Sequence, residues 1–241
     1  MKKRGNRKKK RIVFAIVNGA LLLIMAACLI TTAILSNTLA SQKEASRWRG
    51  ESDMEFSQIS CFIPVDEKIG LEEVSAFRTK LTEELHKAAL DIDNDSTLFV
   101  DAWSCTGKVN VSSDNGKGEA AVIAVGGEFF DFHPIRLISG SYITQRDLMK
   151  DRVLLDEDLA WLLYGGTDIA GLSMKINGVP YMIAGVVERE QDKFNTAAYT
   201  SGRGLYMSYD GYSQLVEDAG ITCYELVMAN PVKDFALGVA K

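Results

Sequence analysis

An uninterrupted apolar stretch near the start of the chain constrains its fold more than any other feature. No charged residue occurs in the 24 residues from Ile12 to Leu35, and a helix of that length rises about 36 Å, enough to cross a hydrocarbon core of about 30 Å. Eight lysines and arginines precede it within residues 1–11, and such clusters stay on the cytoplasmic side. The sequence therefore predicts a cytoplasmic basic segment at 1–11, a transmembrane helix at 12–35 and an extracytoplasmic main domain attached to the cell membrane.

Two other interpretations of the same stretch remain open. Thr38-Leu39-Ala40 resembles the cleavage site of a signal peptide, although the apolar core of a signal peptide usually spans only about 7–15 residues. Met25-Ala26-Ala27-Cys28 resembles a lipoprotein box that would place a lipid on Cys28, although the apolar run continues beyond that cysteine. A retained anchor fits the length better than either, and its basic segment is also suited to contact anionic membrane lipid.

The net charge of −5 averages two unlike parts of the chain. Eight of the 27 basic residues lie in residues 1–11, so that 19 basic residues face 32 acidic ones in residues 12–241, a charge of −13. Nucleic-acid sites are basic. The composition therefore predicts no nucleic-acid partner for the outer part.

The four cysteines offer neither a metal site nor a redox motif, because no C-x-x-C spacing occurs. Cys28 lies in the apolar stretch, while Cys61, Cys105 and Cys223 are spread along the outer part. Buried free thiols are the expected state. A disulfide between Cys61 and Cys105 stays open as an alternative if their strands are neighbours.

The outer chain begins with a polar segment at residues 36–53, which is predicted to be a stalk. The pattern that follows reads strand, amphipathic helix, strand, strand, which is the first part of a ferredoxin-like β-α-β-β-α-β unit. The predicted elements are Met54–Ile63, a helix from Leu71 to Ala88, Leu98–Cys105, and a strand pair at Lys108–Ser112 and Glu119–Val125.

Residues 126–206 interrupt that unit and are predicted to form a small β-rich insertion. It contains a strand at Arg152–Leu155 and a helix capped by Asp156 and ended by Gly165-Gly166. Asn177-Gly178 between two apolar runs predicts a tight type I′ hairpin of Ser173–Ile176 and Val179–Val187. The polar segment Gln191–Gly204 is predicted to be a mobile loop.

The first unit is predicted to resume at residues 207–241. Leu205–Tyr209 and Thr222–Met228 favour strands, Tyr212–Asp218 a helix, and Asn230-Pro231 the start of another helix at Val232. The fold predicted is therefore α+β: one transmembrane helix, then a split ferredoxin-like unit at 54–125 and 207–241 with an insertion at 126–206. Because the closing strand of that unit is missing, we expect the sequence to be a fragment of a longer chain.

No catalytic, cofactor-binding or metal-binding residue is predicted. His86 and His133 have no metal-ligand spacing and are assigned structural roles. Asp91, Asp93 and Asp95 imitate the start of a calcium loop, but its sixth and twelfth positions hold the wrong residues, Ser96 and Ala102.

The remaining motifs also favour structure over chemistry. The pairs Gly107-Lys108 and Gly116-Lys117 lack the spacing of a phosphate-binding loop, so the chain is not expected to bind ATP. Trp103, Trp161 and the pair Phe129-Phe130 are assigned to the core, as large aromatic residues usually are.

A series of short sequence motifs between Phe129 and Arg189 gives the chain a family resemblance. The motifs are Leu137-Ile138-Ser139-Gly140, Val153-Leu154-Leu155-Asp156, Leu159-Ala160, Leu163-Tyr164-Gly165, Ile169-Ala170-Gly171 and the hairpin that ends at Gly185-Val186-Val187. Together they resemble the extracytoplasmic core domain of MacB-like (FtsX-like) ABC transporter permeases. Ser141, Tyr164 and Ala170 depart from the residues usual in that family.

The resemblance implies a function as well as a fold. The split unit would be the porter-like subdomain of such a permease, and the chain would be a permease subunit, or its N-terminal fragment, that couples ATP-driven motion to export or signalling. Its implied partners are a separate ATP-binding subunit, which hydrolyses the ATP, and a second permease copy or homologue. Permeases of this family continue into three further transmembrane helices, so a free-standing, membrane-anchored extracellular binding or interaction module is the alternative.

Overall fold

The computed structural model describes residues 2–38, 43–49, 55–87, 99–189, 204–232 and 234–240. The chain divides into two compact units, residues 1–43 and 44–241.

The first unit is one long helix, α1 (Lys2–Thr38). Its apolar section Arg11–Leu35 is long enough to cross a membrane, and none of it is buried inside the protein. The predicted apolar helix is therefore confirmed.

The second unit contains short helices around a large sheet. Part of the segment predicted to be a stalk forms the first of these helices, and a single 3-10 turn occurs at Val65–Glu67. The elements are α2 (Glu44–Arg49), β1 (Phe56–Phe62), α3 (Leu71–Lys87), β2 (Phe99–Ser112), β3 (Lys117–Gly127), α4 (Phe129–Phe132), β4 (Leu137–Gly140), β5 (Arg152–Asp156), α5 (Glu157–Tyr164), β6 (Ser173–Ile176), β7 (Val179–Val187), β8 (Gly204–Ser208), α6 (Tyr209–Ser213), β9 (Cys223–Ala229) and α7 (Phe235–Val239).

The nine strands found among the described residues belong to one sheet with the order β1-β9-β2-β3-β8-β5-β7-β4, and β6 pairs with β2 and β7. Strand β9 lies between β1 and β2 and is antiparallel to both. The connection β1-α3-β2 therefore joins two parallel strands that another strand separates, which is the split βαβ arrangement of ferredoxin-like units. The predicted α+β class is confirmed.

The strands of the predicted insertion extend this same sheet. Strand β8 is parallel to β3, and β5 and β7 continue outward from it. The division of the outer chain into residues 54–125 and 207–241 against 126–206 stays a prediction.

The alternation of side chains along β2 divides the core into two clusters, one on each face of the sheet. Trp103 and Cys105 pack on one face with buried residues of α3 and α5, and Ala102 packs on the other face with α4. Val74, Leu81 and Leu85 are the buried residues of α3, and they recur at the spacing that predicted this helix.

Local turn and capping signals are confirmed. Asn177 and Gly178 have φ values of 49° and 87°, as a type I′ turn between β6 and β7 requires. The carboxylate of Asp156 accepts a 2.7 Å hydrogen bond from the backbone N–H of Leu159 and begins α5, which ends at the left-handed Gly165.

Several predicted boundaries are wrong. Two separate strands were predicted at Leu98–Cys105 and Lys108–Ser112, but Phe99–Ser112 is one continuous strand, β2, and β3 pairs with it from Ala102 to Ser112. Leu98 lies outside the described residues. The helix predicted at Tyr212–Asp218 is wrong at both ends: the observed helix runs from Tyr209 to Ser213, and Ser208 caps its start by accepting a hydrogen bond from Gly211 N–H. The helix predicted from Val232 begins at Phe235.

Two further predictions fall outside the described residues. The aspartates Asp91, Asp93 and Asp95 lie there, as does the predicted loop up to Arg203, while Gly204 is the first residue of β8.

Candidate functional site

A crevice lies where the parallel strands β3 and β8 end. The two strands are paired up to Val125 and Ser208. Beyond β3 the chain enters α4, whose Phe132 is buried in one core cluster, and beyond β8 it enters α6, whose Tyr212 is buried in the other. The two connections therefore leave toward opposite faces of the sheet. In open α/β sheets, ligands bind in the crevice that such a divergence creates.

The crevice consists of two adjoining hollows that share Gly127, Thr144 and Gln145 in their walls. The inner hollow has a volume of about 70 Å³, and its lining includes Trp103 and Lys150. The outer hollow has a volume of about 430 Å³, within the range of small-molecule sites. Its lining includes Trp48, Arg78, Phe99, Glu128, Asp131 and Arg146.

Two glycines make room at the floor of the crevice, Gly126 for the indole of Trp103 and Gly127 for the backbone of β2. A Cβ on Gly126 would lie 2.2 Å from Nε1 of Trp103. Gly127 has a φ of 65°, and a Cβ there would lie 2.2 Å from the carbonyl oxygen of Asp101. That oxygen accepts a 3.0 Å hydrogen bond from Glu128 N–H. A side chain at Gly126 would therefore displace the Trp103 indole, and a side chain at Gly127 would push against the backbone of β2.

A buried charged group lies beneath the outer hollow. Asp101 is 3% exposed, and its carboxylate accepts a 2.6 Å hydrogen bond from the Tyr224 hydroxyl and lies 3.1 Å from Nε of Arg78. Burial raises the pKa of Asp101, and Tyr224 and Arg78 both oppose that rise. Burial also raises the pKa of Tyr224, with the adjacent Asp101 charge as a further cause. The charge of Asp101 is thus compensated within the fold.

The aromatic ring of Trp103 connects this charged group to the inner hollow. The guanidinium carbon of Arg78 lies 5.6 Å from its centroid, which is a cation–π contact. Trp103 is 5% exposed, as expected for a core residue, yet its indole N–H has no hydrogen-bond partner within the described residues. A buried donor of this kind is unusual in folded proteins.

The loop from Ser141 to Asp151 forms one side of the crevice. Thr144 donates to Asp147, Arg152 contacts both Asp147 at 3.5 Å and Ser141 at 3.2 Å, and Lys150 donates to the Gln145 carbonyl oxygen at 2.9 Å. The Lys150 ammonium also lies 3.8 Å from Asp210. These contacts hold the loop in a defined conformation and neutralise the lysine locally.

The two histidines differ in their surroundings. His86 is exposed on α3, whereas His133 is half-buried, contacts the buried carboxylate of Glu225 and stacks on Phe129 with a centroid distance of 4.5 Å. Sequence reasoning missed Glu225, because its partner lies 92 residues away and no local pattern marks the pair.

The structure corrects two expectations, one about the state of the cysteines and one about the burial of Trp161. All four cysteines are free, so the alternative disulfide between Cys61 and Cys105 is not formed. Cys105 is buried and burial raises its pKa to about 12, but Cys61 is exposed rather than buried. Trp161 is 59% exposed on α5 and does not belong to the core. Its helix buries Leu159, Ala160 and Leu163 instead.

The described residues bring no three His, Cys, Asp or Glu side chains together in a way that could hold a metal ion. The crevice presents hydrogen-bond donors and acceptors beside aromatic walls, an arrangement suited to binding. The prediction that the chain has no catalytic, cofactor-binding or metal-binding residue stays a prediction.

A comparison with known protein families agrees with the family resemblance. A family model described as MacB-like periplasmic core domain matches residues 14–236. The extracellular domain of the noncanonic ABC-type transporter YknZ from Gram-positive bacteria is 14% identical, with a TM-score of 0.48 over 76% of this chain and 88% of that chain. The periplasmic region of MacB from Actinobacillus actinomycetemcomitans is 16% identical, with a TM-score of 0.46 over 60% of this chain and 66% of that chain. No curated protein sequence matches the chain.

Proposed function

Since the chain belongs to the family of MacB-like periplasmic core domains, found in ABC transporter permeases, we propose that it is a permease subunit, or the N-terminal part of one. Its outer domain couples ATP-driven motion to export or to signalling. The observation that carries this proposal is the extent of the family match, which begins inside the apolar helix and runs through the whole sheet-rich unit.

The build of the second unit supports a role in transmitting motion. Its sheet, of nine strands in the described part of the chain, has a packed apolar cluster on each face. Close-packed cores resist deformation and move as bodies. A displacement applied to such a unit is therefore passed on across its width, as in rigid-body switching between domains.

Charge supports the proposed orientation. The basic residues of segment 1–11 precede the apolar helix and the acidic remainder follows it. Positively charged flanks stay in the cytoplasm. In the proposed arrangement the amino terminus is cytoplasmic and residues 44–241 lie outside.

The proposed partners are a separate ATP-binding subunit and a second permease copy or homologue. ATP hydrolysis then takes place in the ATP-binding subunit. The family domain is itself non-catalytic, which agrees with the absence of a phosphate-loop spacing from the sequence.

Purification from membranes tests the proposal. The chain is tagged at its native locus and isolated in mild detergent, and an ATP-binding subunit is expected to accompany it. A second measurement follows motion, with spin labels on the exposed Cys61 of two associated copies. We expect the distance between the labels to change when ATP is added. The distance should be unchanged after a non-hydrolysed analogue has been added and washed out. Recovery of the chain without any nucleotide-binding partner would contradict the proposal and favour a membrane-anchored interaction module.

A further inference from the structure

The apolar section of α1, Arg11–Leu35, contains one amide side chain, that of Asn18. Seven residues of helix separate it from Arg11, a rise of about 10 Å, so Asn18 lies inside the hydrocarbon core when α1 spans a bilayer. A polar side chain is costly at that depth unless it finds a partner. The position of this amide therefore indicates a contact with another polar group.

The hydrogen bonds within α1 satisfy only part of this amide. One N–H of Asn18 donates a 2.8 Å hydrogen bond to the carbonyl oxygen of Phe14. A carboxamide also has a second N–H and an acceptor oxygen, and neither has a partner among the described residues. The hydroxyls of Thr31 and Thr32 differ, because each has one donor and donates it to a carbonyl oxygen one turn earlier. Asn18 is thus left with hydrogen-bonding groups that another molecule can satisfy.

Small residues beside Asn18 allow a second helix to come close. Gly19 follows Asn18, and Ala15 lies one turn before Gly19, so that the three residues share one face of α1. A Cβ at Gly19 would have nothing within 4 Å. Two small residues at this spacing are typical of helix pairs in membranes, where they let the backbones approach. An amide on the same face then comes within hydrogen-bonding reach of the partner helix.

We propose that α1 pairs with the α1 helix of a second copy of this chain through the face of Ala15, Asn18 and Gly19, with the two Asn18 amides hydrogen-bonded to each other. The basic N-terminal segment gives both copies the same orientation, so their Asn18 residues lie at the same depth. An amide is both donor and acceptor, so two amides related by a twofold axis satisfy each other. A helix of another protein would have to present a polar group of its own at that depth.

Charge also favours the helix as the place of contact. Residues 12–35 carry no charge, and residues 36–241 carry the whole net charge of −13. The outer parts of two copies therefore repel each other, whereas nothing of the kind opposes the pairing of the apolar helices. This inference rests on the proposed function, which includes a second permease copy and a membrane-spanning α1, and it names the surface by which the copies meet.

Energy transfer between labelled copies in lipid vesicles tests the pairing. The full chain carries a donor or an acceptor dye at its amino terminus and is reconstituted in phosphatidylcholine vesicles at a series of protein-to-lipid ratios. We expect the wild type to pair. Asn18→Leu should require a protein-to-lipid ratio at least fivefold higher for half-maximal transfer, because it removes the amide from the contact. Asn18→Gln keeps an amide at this position and should lose less than Asn18→Leu.

Matched variants distinguish this face from general crowding of helices in the vesicle. Gly19→Ile places a bulky side chain in the contact and should weaken pairing at least fivefold. Ala20→Ile is the control, since Ala20 lies on the far side of the helix from Ala15 and Asn18, and it should leave pairing unchanged. No specific transfer in the wild type, unchanged pairing in Asn18→Leu, or equal losses in Gly19→Ile and Ala20→Ile would each overturn the proposal.

Failure of the pairing and failure of the proposed function give different results. Purification of the wild type from membranes reports the ATP-binding subunit, and energy transfer between copies reports the contact of α1. Recovery of that subunit without energy transfer would overturn the pairing and leave the permease function standing. Energy transfer that depends on Asn18, without any ATP-binding subunit, would support the pairing and contradict the permease function.

Discussion

The hydroxyl of Tyr224 donates a 2.6 Å hydrogen bond to the carboxylate of Asp101, although 123 residues separate the two in the chain. Both residues are buried, and Arg78 of α3 completes the group from above the sheet. The pair thereby joins the neighbouring strands β2 and β9 to the helix that covers them.

We expect Tyr224→Phe to lower the free energy of unfolding by about 1–3 kcal/mol, because it removes a donor from a buried carboxylate. Denaturation of the full chain in mild detergent measures the loss. Tyr164→Phe is the matched control, since its hydroxyl donates to the Ser173 carbonyl oxygen at an exposed site and should change stability by less than about 1 kcal/mol. Equal losses in both variants would contradict a special role for Asp101.

Gly127→Ala should destabilise the fold far more than the addition of one methyl group usually does. The added Cβ would lie 2.2 Å from a backbone oxygen at a φ of 65°, so we expect a loss of more than about 3 kcal/mol or failure to fold. Gly165→Ala shares the positive φ but meets nothing within 4 Å. It should cost only about 1–2 kcal/mol. Similar midpoints of unfolding for the two variants would refute the close approach of β2 and β3.

The carboxyl group of Asp156 should make stability depend on pH. Burial is the main cause that raises its pKa to about 6, against 3.8 in an unfolded chain, although Leu159 N–H, Gly204 N–H and Arg189 oppose the rise. Between these values the folded chain holds a proton that the unfolded chain has lost. The contribution of Asp156 to the free energy of unfolding is therefore complete below about pH 4 and is lost as the pH rises through 6. The free energy of unfolding changes by about 3 kcal/mol over this range.

Unfolding of the wild type and Asp156→Asn at a series of pH values measures this contribution. Other carboxylates act in the opposite direction, since contacts such as that of Arg136 lower the pKa of Glu188. The difference between the two proteins isolates Asp156 and should shrink or change sign between pH 4 and 6. Parallel curves would show that Asp156 does not titrate in this window.

His133→Ala should destabilise the chain by about 2–3 kcal/mol, because the buried carboxylate of Glu225 would lose its contact with His133 and keep, among the described side chains, the 3.4 Å contact to Ser60. The exposed His86 supplies the control, and His86→Ala should change stability by less than about 0.5 kcal/mol. Rescue is expected when Glu225→Gln is added to His133→Ala, since it removes the buried charge. No rescue would show that the loss arises from packing on Phe129.

Thiol labelling should report orientation. Cys61 is exposed, while burial raises the pKa of Cys105 to about 12 and that of Cys223 to about 11. A membrane-impermeant maleimide added to intact cells should therefore modify Cys61 first, and Cys61→Ser should abolish the rapid labelling. Rapid labelling that appears only after the membrane is permeabilised would place the domain in the cytoplasm.

Features that depend on neighbouring residues were predictable. The apolar stretch, the spacing along α3, the Asp156 cap and the Asn177-Gly178 turn each express a preference that adjacent residues set. The family resemblance rested on short sequence motifs, which are also local features, and it is confirmed over residues 14–236.

Features that depend on distant residues were not predictable from the sequence. The place of β9 between β1 and β2, the Asp101–Tyr224 and His133–Glu225 pairs, and the crevice beside Trp103 all arise from segments far apart in the chain. Alternating apolar residues predict a strand but do not indicate which strand pairs with it. A polar residue in the sequence likewise does not indicate which residue it contacts once it is buried. The sequence by itself determined the long apolar helix, the spacing of α3, the cap and turn signals and the family. Only the tertiary structure decided the strand pairings, the side-chain pairs and the crevice. They depend on the free energy of contacts between distant residues, which no local sequence pattern reveals.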